Sequence, residues 1–172
     1  MSEYEIMDLM NNIEYGWLDK FNVKHSKVDN DFSDNYILQS PQEVIENKTG
    51  VCWDQVELQR YYFNNWNIKT YFLVHYDNAN CPTHTFLTFD KGNKVYWFEH
   101  SWEKHRGIHE YNSIKKLLFD VRDKFIKDEL NHKFNKQNLV LREYRQPKSH
   151  ITVQEFYSHC ENGKDIDLDN LK

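Results

Sequence analysis

The stretch TGVCWDQVELQRYYF, residues 49 to 63, places Cys52 directly behind a Thr-Gly break and ahead of a run that reads as a helix from about Val51 to Trp66. A thiol in the first turn of a helix sits at the positive end of the macrodipole, which favours the thiolate. The same position also suits a small core residue, because free cysteines are among the most buried residue types. What the rest of the chain brings to Cys52 decides between the two.

Upstream, SPQE (40 to 43) combines an N-cap serine, a proline at the first helical position and a glutamate at the third, which predicts a short helix ending near NKTG (47 to 50). Ile6, Leu9, Met10, Ile13, Trp17 and Phe21 recur at helical spacing and predict an amphipathic first helix over 3–21. Residues 22–39 are polar and rich in Asn, Asp and Ser, and read as a loop or substrate-facing arm.

Downstream, TYFLVHY (70 to 76), HTFLTF (84 to 89) and KVYWFEH (94 to 100) are aromatic and β-branched runs that predict three strands, the last two joined at DKGN (90 to 93). Ser113 caps a long helix reaching about His132, LVLREY (139 to 144) is a further strand, and Thr152 with Glu155 opens a last helix. The core is expected over about 40–145. The segment 162–172 lacks a core pattern and is expected to be loosely held.

With 172 residues, 39% hydrophobic and 16% aromatic, the chain suits one domain, 1–172, whose core is built largely from eleven Phe, eleven Tyr and five Trp. A net charge of -5 with both signs interspersed argues against nucleic acid as a partner. No stretch approaches a membrane span and the acidic start MSEYEIMDLM is unlike a signal peptide, so a soluble, cytoplasmic protein is expected. Cys52, Cys81 and Cys160 are odd in number and widely spaced, which predicts free thiols rather than a disulfide framework. The five glycines form no phosphate-binding loop, and no cofactor is implied.

The hairpin supplies what Cys52 needs. With Lys91 and Gly92 as the turn, Asp90 faces Asn93, and His84 then faces Glu99; a three-residue turn would slip that register by one. Nucleophile, base and orienting acid would then be Cys52, His84 and Glu99.

GVCWDQVELQR followed by THTFLTF and VYWFEHSW resembles the transglutaminase-like superfamily of papain-like cysteine enzymes, over roughly residues 40 to 102. The acid of that family is usually aspartate, whereas this chain has Glu99. The resemblance implies an α+β, papain-like fold in which the helix bearing the nucleophilic cysteine packs on an antiparallel sheet. It further implies acyl transfer from an amide through a thioester, on a protein, peptide or small amide substrate, ending in hydrolysis or in transfer to an amine. The main-chain amide of Cys52 would be one oxyanion donor, with Gln39, Gln42 and Asn47 as weak candidates for a second.

Three other readings compete. His159 could serve Cys52 at papain-like distance, although Glu46 stands where papain has a glutamine. Cys81, His84, His100, His105 and His109 offer metal-ligand types, although paired Cys-x-x-Cys spacing is absent and no metal is expected. A non-catalytic module would use Trp53, Trp97, Phe98 and Trp102 to line a peptide groove, and Trp53, Trp97 and Trp102 are also the expected substrate contacts of an enzyme. The arm 22–39 and the loops 77–82 and 103–110 are expected to border the cleft.

Overall fold

The three aromatic runs form the centre of one antiparallel sheet in the computed structural model, which describes residues 1–77 and 81–171. In chain order the elements are α1 Glu3–Met10, β1 Trp17–Leu18, β2 Lys24–His25, α2 Phe32–Asn35, α3 Pro41–Asn47, α4 Cys52–Tyr62, β3 Ile68–His75, β4 Thr83–Lys91 and β5 Lys94–Glu99. They continue with β6 Gly107–Tyr111, α5 Ile114–Asp128, β7 Leu139–Tyr144, α6 Val153–Glu161 and β8 Lys164–Asp165. The large sheet runs β6-β5-β4-β3-β7-β8, and β1 and β2 form a separate pair. This is the α+β architecture expected, with helices on both faces of an antiparallel sheet.

Alternation along the strands divides the core. Phe72, Val74, Leu87, Phe89 and Phe98 point to the face covered by α1, α3, α4 and α6, while Tyr71, Leu73, Phe86, Trp97 and Leu141 point to the face covered by α5. The core extends beyond 40–145, from Ile6 to Leu168.

The hairpin register differs from the expected one. Lys91 pairs with Lys94 and Asp90 with Val95, leaving Gly92 and Asn93 as the two turn residues. Gly92 has φ 62°, which a residue without a Cβ adopts freely. The pairing is therefore shifted by two residues, and an even shift returns every side chain to its own face.

Three further boundaries differ. The first helix stops at Met10, where the tandem Asn11 and Asn12 break it; Ile13 and Trp17 are buried as expected, but from a loop and a strand, and Phe21 is 71% exposed. α4 ends at Tyr62, capped at Phe63, because Asn64 and Asn65 follow. The C-terminal segment, expected to be loosely held, supplies β8 along the edge of β7 (Arg142 with Asp165), and Leu168 is buried. The reading of Lys172 lies outside the described residues.

Candidate functional site

α4 begins at Cys52 because the chain ahead of it is pinned. Asp54, at the third helical position, accepts from Val51 N at 3.0 Å, the backward half of a capping box. Its other oxygen accepts from the Tyr36 hydroxyl at 2.8 Å and Gln39 N at 3.0 Å. Burial pushes the Asp54 carboxyl up to about 7, outweighing the hydrogen bonds from Gln39, Tyr36 and Val51 that favour its charge. Gly50 lies over this turn, where a Cβ would stand 2.9 Å from Asp54 Cβ. As the first residue of α4, Cys52 has a main-chain N–H with no intrahelical acceptor.

His84 lies next to the start of β4, opposite Leu73 of β3, and so belongs to the face covered by α5. Glu99 ends β5 on that same face. His84 Nε2 stands 2.5 Å from Glu99 Oε1, and both side chains are buried. Glu99 Oε1 also accepts from the Trp97 indole at 3.2 Å, while Oε2 accepts from Ser101 Oγ at 3.3 Å and Trp102 N at 3.0 Å. Four donors thus surround one buried carboxylate and satisfy its lone pairs.

Cys52 comes from the α4 side and the His84–Glu99 pair from the α5 side. They meet at the end of the sheet where β4 starts and β5 stops, and Cys52 and His84 line one cavity of about 340 Å³. Burial alone would lower the His84 pKa. The Glu99 charge, a hydrogen bond with Cys52, the Glu99 hydrogen bond and the Cys52 charge together raise it to about 10. With Nε2 on Glu99, Nδ1 is the ring nitrogen left for the thiol. Trp102 lies edge-on to the His84 ring, 4.9 Å between centroids, and covers the pair on the cavity side.

On the opposite side of β5, His100 extends a second tie. Gln55 Nε2 donates to Gly50 O at 2.8 Å, which leaves Gln55 Oε1 to accept from His100 Nδ1 at 2.6 Å. Burial, with the Arg106 charge, lowers the His100 pKa to about 4 against the pull of Glu99, so this ring is neutral. The end of the strand that carries Glu99 is thereby braced to α4 and to the turn ahead of Cys52.

The other expected site residues fall in several places. Trp53 is 4% exposed, stacks on Phe156 at 4.3 Å and borders a second cavity, of about 540 Å³, on the other side of Cys52. Trp97, expected at the substrate, is fully buried and holds Glu99 instead. Trp102 lines the first cavity. The arm 22–39 contributes Val28, Asp29 and Phe32 to the second cavity, Cys81 and Pro82 join them, and Glu103 borders the first. The rest of the loop 77–82, residues 78–80, lies outside the described residues.

Of the second-donor candidates, Gln39 is spent on Thr49 O and Asn47, and Gln42 sits beside Glu46 on the surface. His159 bonds Arg145 O. Cys81, His100, His105 and His109 do not converge, and no group of three or more metal-binding side chains exists among the described residues.

The sequence reading missed Tyr15. It borders both cavities beside Cys52, and although 47% of its surface is open, its hydroxyl end is sheltered. Burial, then the negative charges of Cys52, Asp54 and Glu129, raise the phenol's pKa and keep it protonated. Its neighbour Glu14 is tied to the cysteine loop, Glu14 N to Lys48 O at 2.9 Å and Gly50 N to Glu14 O at 3.1 Å. The signal was the Asn11-Asn12 break, since ending the helix there frees Tyr15 from its place on a helix face.

No helix among the described residues is long and apolar enough to cross a membrane, and no curated protein matches the sequence. A family model described as a transglutaminase-like domain matches residues 4–98, more than half of the chain. That span takes in the Cys52 helix and the His84 strand and stops one residue short of Glu99. With its helix-start cysteine set against an antiparallel sheet, the chain belongs to the transglutaminase-like domain family.

Proposed function

We propose that the protein is a cysteine-dependent acyl-transfer enzyme acting on an amide, with Cys52 as nucleophile, His84 as acid and base, and Glu99 as the residue that orients His84. The observation that carries this reading is the shared cavity of Cys52 and His84, with His84 Nε2 held by Glu99 at 2.5 Å.

In the step this arrangement supports, the Cys52 thiolate attacks the amide carbon and the carbonyl π electrons move to oxygen. The resulting oxyanion accepts from the Cys52 N–H at the helix start and from the Tyr15 hydroxyl. As the C–N bond breaks, imidazolium His84 gives its Nδ1 proton to the leaving amine, and a thioester remains. Water or a second amine then attacks the thioester, passes a proton to His84, and releases the Cys52 thiolate. Glu99 fixes the tautomer of His84 and balances the imidazolium.

The test is mass spectrometry of the whole protein after incubation with an electrophilic peptide amide analogue, with and without a primary amine. A single adduct on Cys52 that is lost in His84→Ala supports the reading. An adduct distributed over Cys81 and Cys52 alike, unchanged by His84→Ala, overturns it.

A further inference from the structure

Resting on that reading of Cys52, we infer that the cleft selects substrates carrying a cationic group, an alkylammonium or guanidinium, beside the carbonyl that is attacked. The inference comes from how the charges around the cavity are sorted. The loop of residues 103–106 reads Glu-Lys-His-Arg and contributes one anion and three basic groups. Each basic group is drawn away: Lys104 Nζ and His105 Nε2 both lie 2.7 Å from Asp128, and Arg106 Nε donates to His100 O at 2.8 Å. Glu103 alone turns to the cavity.

Glu129, immediately after the Asp128 that occupies those two partners, lines the same cavity. Neither Glu103 nor Glu129 forms an ion pair among the described residues, and both are exposed. Glu129 is close enough that its charge acts on the Tyr15 phenol beside the thiol. The second cavity adds Asp29, no lysine or arginine among the described residues lines either cavity, and the His84 charge is balanced by Glu99.

The walls fit the same ligand. Tyr15 and Trp102 line the same cavity as the two carboxylates, and a ring face attracts a cation within about 6 Å of its centroid. Carboxylates and aromatic rings together accommodate a cation better than a neutral or anionic group. A negatively charged substrate would meet two uncompensated carboxylates in a partly enclosed space, where charges are less screened than in open water.

Three methanethiosulfonates test this on the full-length protein: the aminoethyl (cationic) and sulfonatoethyl (anionic) reagents, with the smaller methyl reagent as the neutral reference. In each reaction the thiolate attacks the sulfenyl sulfur, a disulfide forms and methanesulfinate leaves. Peptide mass spectrometry reads the rate at Cys52 apart from that at Cys81, and each rate is divided by that of glutathione. The cationic-to-anionic ratio at Cys52 is expected to be on the order of tenfold or more at low salt and to shrink at high salt. In Glu103→Gln with Glu129→Gln, both surface changes, it should fall to within about threefold of unity.

A ratio near one in the parent, or a high ratio that the double variant leaves intact, overturns the inference. The neutral reagent separates this outcome from failure of the enzyme reading. If methyl transfer to Cys52 is fast and depends on His84 while the ratio is flat, only the selectivity is wrong. If methyl transfer is no faster than with glutathione while the charge ratio persists, the selectivity stands and the nucleophile assignment falls.

Discussion

His84 and Glu99 meet diagonally. Their Nε2 and Oε1 atoms stand 2.5 Å apart although the ladder pairs Leu87 with Phe98, which places Phe86, not His84, level with Glu99. Diagonal neighbours on one face are about 7–8 Å apart at the backbone, a gap that long side chains close. Glutamate has one methylene more than aspartate, and here that extra length spans the diagonal.

The first prediction follows from that reach. Glu99→Asp should cost more than an aspartate-for-glutamate swap at a directly opposite position, because the shorter side chain falls short of Nε2. Glu99→Gln should leave the fold intact and lower kcat by about 10²–10⁴, the upper end being that of the handled tautomer in a serine protease. Steady-state rates of both variants, with circular dichroism as the control for folding, check this; a loss within a few-fold for Glu99→Gln removes Glu99 from the mechanism.

A pH prediction concerns His84. Its folded pKa, about 10, lies above the ordinary value, so its protonation favours the folded state. That contribution is complete below about pH 6.5 and is lost as the pH rises through about 10. The His84 ring resonance in an NMR titration should therefore stay at its protonated position between about pH 6.5 and 8.5, and in Glu99→Gln should titrate at lower pH. A parent resonance that titrates near 6.5 would show that the ion pair is not the resting state.

Asp54 is expected to act on the fold rather than on the reaction. Asp54→Asn turns an N–H₂ group toward one of three donors, and leaving a buried donor unsatisfied costs about 1–3 kcal/mol. Its raised pKa means the parent's contribution is complete below about pH 4 and is lost as the pH rises through about 7. Denaturant midpoints from pH 4 to 8 should fall for the parent and flatten for Asp54→Asn, with the His84 resonance unmoved.

Tyr15→Phe separates oxyanion support from nucleophile activation. It removes one hydroxyl at a partly exposed ring, so folding should be unaffected. Loss of one such donor lowers kcat by about 10²–10³, while alkylation of Cys52 by a small haloacetamide, which forms no oxyanion, should keep its rate. Equal losses in both assays would mean that Tyr15 positions the thiol instead.

The two other cysteines provide the contrast for Cys52→Ala, which should abolish turnover without unfolding the protein. Cys81 is exposed and Cys81→Ala should be silent. Cys160 is fully buried in the cluster with Trp53 and Phe156, so Cys160→Ala should lower stability by about 1 kcal/mol and leave kcat unchanged. Thermal melts and rates on the three variants distinguish a reactive thiol from a packed one.

The amino-acid sequence determined the local features whose causes are local. The SPQE capping box, the helix opening at Cys52, the alternation of the three aromatic strands and the faces of His84 and Glu99 all depend on residues a few positions apart. Even the mistaken register left His84 beside Glu99, because faces repeat every two residues and the error was two. Tertiary structure alone decided what depends on distant segments: that His100 bonds Gln55, that Tyr15 stands beside Cys52, and that Asp128 takes up Lys104 and His105, the basic residues after Glu103. Those relations join stretches tens of residues apart, and no periodicity along the chain encodes which buried donor or surface charge a fold brings together.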